Sequence, residues 1–208
     1  MKKLLILLAG IFTALAAFAQ TPDEIIARME QAMDGHENDG MAMTMDMKIP
    51  ILGTVTTRSY MLGDKLRIEG KMMNRTIVSF IDGTTVWDID DEKKEVIIKT
   101  KEKTAEPSES EKNAEMFTGI TEGYDVSLKS ETAAEWNIVC KKSKSNTVKD
   151  DPKTMNLTIR KKDYIPVSLS AKMSGVTVIM RDLVYGIKDS QVTFNASNYP
   201  GYTIKDER

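Results

Sequence analysis

The residues in this chain that could do chemistry fall into a few groups. His36 is followed by Met41-Ala-Met-Thr-Met-Asp-Met-Lys-Ile49, a run of soft thioether donors of the kind that holds Cu(I) outside the cytoplasm. Asp88, Asp90, Asp91 and Glu92 form an acidic cluster, and Cys140 and His36 are the sole cysteine and histidine. Each group also has a plainer reading. Methionines at i and i+2 on a strand share one face and make it apolar. The acidic cluster sits at a strand end and turn beside Lys93 and Lys94, where solvated charges belong. With one histidine, histidine-based metal catalysis and Ser-His-Asp chemistry lose their basis. With one cysteine there is no intramolecular disulfide and no cysteine-rich zinc site. In Trp136-Asn-Ile-Val-Cys140 the apolar residues alternate, so Cys140 reads as a small buried hydrophobe. No nucleophile with a base, glycine-rich phosphate loop or metal triad stands out, so an enzyme is the weakest class and no cofactor is expected.

The elements that must position these residues begin with a leader. Lys2-Lys3, an apolar run from Leu4 to Phe18 and Ala17-Phe18-Ala19 read as a secretory signal peptide over residues 1–19. No cysteine near the cleavage region could carry a lipid anchor. Residues 20–208 are then a single domain. Lys and Arg number 29 against 31 Asp and Glu, a net charge of −2, more acidic still once Lys2 and Lys3 depart. Such a balance argues against a nucleic-acid partner.

Thr21-Pro-Asp-Glu24 predicts a helix opening, with Thr21 as cap and Glu24 completing a capping box. Ile25, Met29, Ala32 and Met33 give it one apolar stripe, and Gly35 ends it. From Met41 to about Thr100 the pattern is strands separated by turn signals at Gly63-Asp64, Met73-Asn74 and Asp82-Gly83. Ser108-Glu-Ser-Glu111 predicts a second, inserted helix with Ala114, Phe117 and Ile120 at helical spacing, which is either a lid or the cover of a sheet edge. A second block of alternating strands runs from Tyr124 to Met180, interrupted by a lysine- and serine-rich loop over Lys141 to Asp151.

These segments predict a mainly β fold: consecutive antiparallel strands in a sheet large enough to curl, with an N-terminal helix and an inserted helix as the available cover. Two short helices cannot cover the apolar face of so large a sheet, and a curled, partly covered sheet leaves an apolar cavity. Methionine suits such a surface because it is unbranched and adapts to ligands of variable shape.

Thr76-Ile-Val-Ser-Phe-Ile-Asp-Gly-Thr-Thr-Val-Trp-Asp-Ile-Asp90 resembles the strand-turn-strand of the LolA-type periplasmic lipoprotein carriers, where a Ser-Asp-Gly-x-x-x-Trp pattern recurs. Ile165-Pro166, the Gly175 turn, Val192-Thr-Phe194 and Tyr199-Pro-Gly-Tyr-Thr-Ile204 are similar to that family's closing strands and its Pro-x-Gly-x-x-Val ending. At the turn where the carriers have an Arg-Pro pair against the lid, this chain has Gly63-Asp64. The resemblance implies a curved antiparallel sheet forming an incomplete, half-open β-barrel covered by an N-terminal helix and an inserted helical lid, and an unlipidated, monomeric periplasmic carrier of lipoprotein or other lipid acyl chains. It also implies donor and acceptor proteins at the inner and outer membranes. The candidate cavity lining is Met43, Met45, Met47, Leu66, Ile68, Val78, Phe80, Trp87, Ile89, Leu169 and Val178, with Ala114, Phe117 and Ile120 on the lid. The alternatives are a methionine-rich periplasmic copper-binding protein and an interaction domain whose core is filled.

Overall fold

A computed structural model describes residues 20–36, 38–72, 75–101 and 119–208. The leader at 1–19, the Met73–Asn74 turn and the inserted helix with Ala114 and Phe117 lie outside the described residues.

Helix α1 (Pro22–Asp34) starts where the capping chemistry directs. The Glu24 backbone N–H donates to Thr21 Oγ1 at 3.2 Å, and the Thr21 N–H donates to the Glu24 carboxylate at 2.9 Å. Its apolar stripe buries Ile25, Ile26 and Met29, each worth roughly 2 kcal/mol when removed from water.

The strands are β1 (Met41–Ile49), β2 (Gly53–Leu62), β3 (Lys65–Met72), β4 (Arg75–Asp82), β5 (Thr85–Asp90) and β6 (Glu95–Thr100). They continue as β7 (Tyr124–Glu131), β8 (Glu135–Lys142), β9 (Thr154–Arg160), β10 (Pro166–Met173), β11 (Val176–Tyr185) and β12 (Thr203–Asp206). All twelve form one open, curved sheet in the order β12-β6-β5-β4-β3-β2-β1-β11-β10-β9-β8-β7, and its edge strands do not meet to close a barrel. Neighbours are antiparallel except β12, which runs parallel to β6.

Register decides which residues share a face, because directly opposed residues point the same way. Met41 faces Met61, which faces Leu66, which faces Ile81. On the other side Met45 faces Met180, which faces Leu169, then Leu157, then Ile138. These residues belong to the inner face, where α1 packs in one cluster with Met43, Met61, Leu66, Trp136, Ile159, Leu169 and Leu183. Ile120, the one lid residue within the described segments, packs against the same cluster.

The outer face follows the other phase. Arg67 faces Phe80, Phe80 faces Trp87, Val78 faces Ile89, and Ile89 faces Val96. This apolar area is covered by the C-terminal segment. From β11 beside β1 the chain passes through α2 (Asp189–Val192) and a 3-10 turn at Ala196–Asn198, then reaches the far edge as β12. On its way Val192 is buried with Ala42 and Ile187, and Phe194, Tyr199 and Tyr202 pack on Phe80, Ile89 and Val96. The Phe194 ring stacks on Trp87 at 5.6 Å and meets Phe80 edge-on at 5.8 Å. Lys65 pins the strap at Asp189 at 2.6 Å, and Arg67 donates to the Gln191 carbonyl at 3.3 Å with its guanidinium between the Tyr60 and Phe80 rings.

Phe194→Ala removes the ring that joins strap to sheet. It is expected to cost about 2–4 kcal/mol, read as a lower urea midpoint by circular dichroism.

Candidate functional site

The eleven candidate lining residues divide between the two faces of the sheet. Met43, Met45, Met47, Leu66, Ile68, Leu169 and Val178 share the inner face. Val78, Phe80, Trp87 and Ile89 do not: they lie on the outer face beneath the C-terminal strap, where they form a filled core with Phe194, Tyr199 and Tyr202. The physical reason lies in the strand itself. β4 is apolar on both sides, with Ile77 and Ile81 alternating with Val78 and Phe80, so alternation alone does not give its phase.

The seven inner residues divide again. Met43, Leu66 and Leu169 are buried in the cluster that α1 packs. Met45, Met47, Ile68 and Val178 are only half-buried. Met47 and Val178 belong to a continuous apolar row that sequence reading did not assemble: Val55, Met47, Val178, Ala171, Met155, Cys140 and Val126 face one another in turn across β2, β1, β11, β10, β9, β8 and β7. At the usual strand spacing that row spans roughly 29 Å. Beside it, Gly70 faces Thr57 and Ile77 without a side chain of its own, leaving the floor low. Near the bulges where β1 slips register against β11, at Ala42/Thr44, and β10 against β9, at Pro166/Ser168, lies a shallow recess of only about 10 Å3 lined by Met43, Pro166, Leu169, Met180, Arg181 and Leu183. The half-exposed row can therefore take apolar matter of extended shape, while toward β4–β6 the same face carries Ser79, Asp88 and Lys99, which pair with one another.

The titratable residues have structural partners. Asp88 accepts from Ser79 Oγ at 2.6 Å and pairs with Lys99 at 2.5 Å. Asp90 accepts from the Lys93 backbone N–H at 3.0 Å, which above all holds its carboxyl below the usual range, and from the Glu92 N–H at 3.1 Å. Asp91 accepts from the Tyr202 hydroxyl. The acidic cluster thus ties down a hairpin and the strap. Burial pushes the Cys140 thiol up to about 11, and burial pushes Tyr185 up to about 12. His36 stacks on Tyr185 at 4.5 Å and contacts Asp39 at 2.7 Å. Among the described residues no three His, Cys, Asp or Glu side chains gather as a metal site, and Met41 and Met43 pack in the apolar core.

On the opposite face of β1 the side chains are polar and paired. Arg181 donates to Asp46 at 2.8 Å and Thr56 donates to it at 2.7 Å, while Arg58 donates to the buried Thr44 hydroxyl at 2.9 Å. The contrast between the two faces of β1 keeps its methionines on the inner side.

A scan of the sequence against protein-family models matches none, and a search of the curated proteins finds no match. Solved structures do match. LprF from Mycobacterium bovis superposes with a TM-score of 0.53 at 6% identity, over 81% of this chain and 96% of that one. A LolA superfamily protein from Nitrosomonas europaea matches at 10% identity and a TM-score of 0.33, over 85% and 99% of the two chains. An uncharacterized conserved protein from Thermus thermophilus matches at 14% identity and 0.43, over 89% and 98%. The open curved sheet with its helix on the inner face is a LolA-like fold.

Two measurements follow from these partners. Arg181 first, and Thr56 second, hold the Asp46 carboxyl below its ordinary value of 3.8. A depressed native pKa contributes stability above the ordinary carboxylate range that is lost as pH falls through the native value. Because the Arg181 side chain is 41% exposed, Asp46→Asn is expected to cost about 1 kcal/mol at neutral pH, with the gap from wild type narrowing below about pH 4 in urea titrations. The Cys140 thiol is expected to resist iodoacetamide in the native protein and to react on unfolding, read by intact mass.

Proposed function

We propose that this protein is a secreted periplasmic carrier that takes the acyl chains of lipoproteins or other lipids onto the inner face of its sheet and moves them toward the outer membrane. The observation that carries the reading is the seven-strand apolar row, half-buried at Val55, Met47, Val178 and Ala171. Val55, Met47 and Val178 stand outside the cluster that α1 packs. An acyl chain that loses about 300 Å2 of apolar surface there gains roughly 7 kcal/mol, without any polar chemistry. The flexible thioethers of Met45 and Met47 let one face accept chains of different length and unsaturation. The reading agrees with the leader-like residues 1–19 and with the LolA-like fold. Its partners are lipid or lipoprotein acyl chains, with donor and acceptor proteins at the two membranes. The lining is Met45, Met47, Ile68 and Val178, joined by Val55 and Ala171, above a floor of Met43, Leu66 and Leu169. Val78, Phe80, Trp87 and Ile89 belong to the strap core.

The test is uptake of a fluorescent fatty acid and of a synthetic acylated lipopeptide, with native mass spectrometry of protein taken from its exporting cells. Met47→Asp and Val178→Asp are expected to weaken uptake by about tenfold or more, equivalent to about 1.4 kcal/mol or more, while the far-ultraviolet spectrum is kept. Phe80→Asp is expected instead to lower the melting temperature through the strap. Uptake unchanged in both inner-face variants would overturn the reading.

A further inference from the structure

The β1–β2 hairpin turns through Pro50-Ile51-Leu52. Ile51 is fully exposed and Leu52 is 71% exposed. Ile51 also stands at φ 72°, a left-handed conformation that β-branched side chains disfavour and that asparagine or glycine adopts at little cost. Two large apolar side chains are thus held in water at the end of the longest hairpin, one of them against its backbone preference. Neither the core nor the turn accounts for them.

The register places other features at the same end of the sheet. Lys48 and Lys172 both face Thr177, one from each side, so the hairpin tips at 50–52 and 174–175 are neighbours. Met173 on the second tip is 42% exposed. The β8–β9 connection leaves from the same end and carries Val148, 58% exposed, beside Lys149. Of the acids at this end, Asp151 accepts from Asn146 at 2.8 Å, Asp90 and Asp91 on the β5–β6 hairpin several strands away hold the turn and Tyr202, and Glu122 and Asp125 stand exposed beside the start of β7, away from the two tips. Asp150 stands exposed beside Lys149. Exposed apolar tips flanked by lysines, on a chain whose net charge is −2, are the composition of a surface that inserts shallowly among anionic headgroups.

We propose that this rim docks on an anionic phospholipid bilayer, with Ile51 and Leu52 entering the acyl boundary and Lys48 and Lys172 meeting the headgroup phosphates. Val55, Met47 and Val178 begin just inside the two tips, so the docked rim sets the open end of the apolar row against the membrane. That last use, loading or unloading an acyl chain, rests on the carrier reading. The docking does not.

The experiment is flotation of the exported protein with phosphatidylglycerol–phosphatidylethanolamine vesicles and with pure phosphatidylcholine vesicles. Wild type is compared with the double substitution Ile51→Asn and Leu52→Ser and with Lys48→Glu and Lys172→Glu. Asparagine suits the left-handed turn, so the tip variant retains its fold, checked by its melting temperature. Wild type is expected to float with the anionic vesicles, and the tip variant to lose that binding by about tenfold or more. The lysine variants are expected to lose the preference for anionic over zwitterionic vesicles. Wild type that stays unbound, a tip variant that floats as well as wild type, or equal binding to both vesicle types would each overturn the docking. Uptake of a water-dispersed fluorescent fatty acid, measured without vesicles in the same variants, reads the carrier function separately. Its failure beside intact flotation overturns the carrier reading alone.

Discussion

Apolar residues on both sides of β4 and β5 oblige this chain to cover its sheet twice. Helix α1 and the inner face supply one interface, with Ile25, Ile26 and Met29 seated among residues of the methionine-bearing strands. The outer interface comes from the last part of the chain, where Phe194 brings Trp87, Phe80 and Tyr199 into one aromatic stack. Among the described residues, Val55, Met47 and Val178 are inner-face apolar groups left outside the cluster that α1 packs. Their partial exposure is the physical condition from which the proposed activity follows.

The two faces divide the work by side-chain type. Outside the strap, the outer face carries hydroxyls and ion pairs, with Asp46 between Arg181 and Thr56, and these can meet water without cost. The inner face uses branched residues where α1 demands shape, such as Ile138, Leu157 and Ile159, and methionines or small residues toward the open half. A rigid, interlocked core and an adaptable surface therefore sit on the same strands a few residues apart.

Much of this was legible in the residues. The capping box at Thr21 and Glu24, the Gly35 stop and the period-two strands follow from local pattern, while the openness of the sheet was implied by the resemblance of its motifs. The phase of the strands did not, because Ile77, Val78, Phe80 and Ile81 make β4 apolar in both phases. Counting from the turns resolves it. The tight turn at Gly63-Asp64 opposes Leu62 to Lys65 and hence Met61 to Leu66, and the turn between β3 and β4 opposes Leu66 to Ile81 rather than to Phe80. The strap had a signal as well, in the aromatic spacing of Phe194, Tyr199 and Tyr202. What a long crossover packs against depends on tertiary geometry that no local pattern carries.

β12 pairs with β6 across more than a hundred residues of chain, through a ladder in which Thr203 faces Glu95 and Asp206 faces Ile98. In a polypeptide that emerges amino terminus first, β1 to β6 can form their hairpins early while the edge of β6 waits for β12. Long-range pairing of this kind is slow because loop closure precedes any gain. β12, made after the other eleven strands, is therefore the one that seals this edge of the sheet. Until it and the strap arrive, Phe80, Trp87 and the bare backbone of β6 present a sticky, unpaired edge, so the window for misassembly is set by the time between β6 and β12.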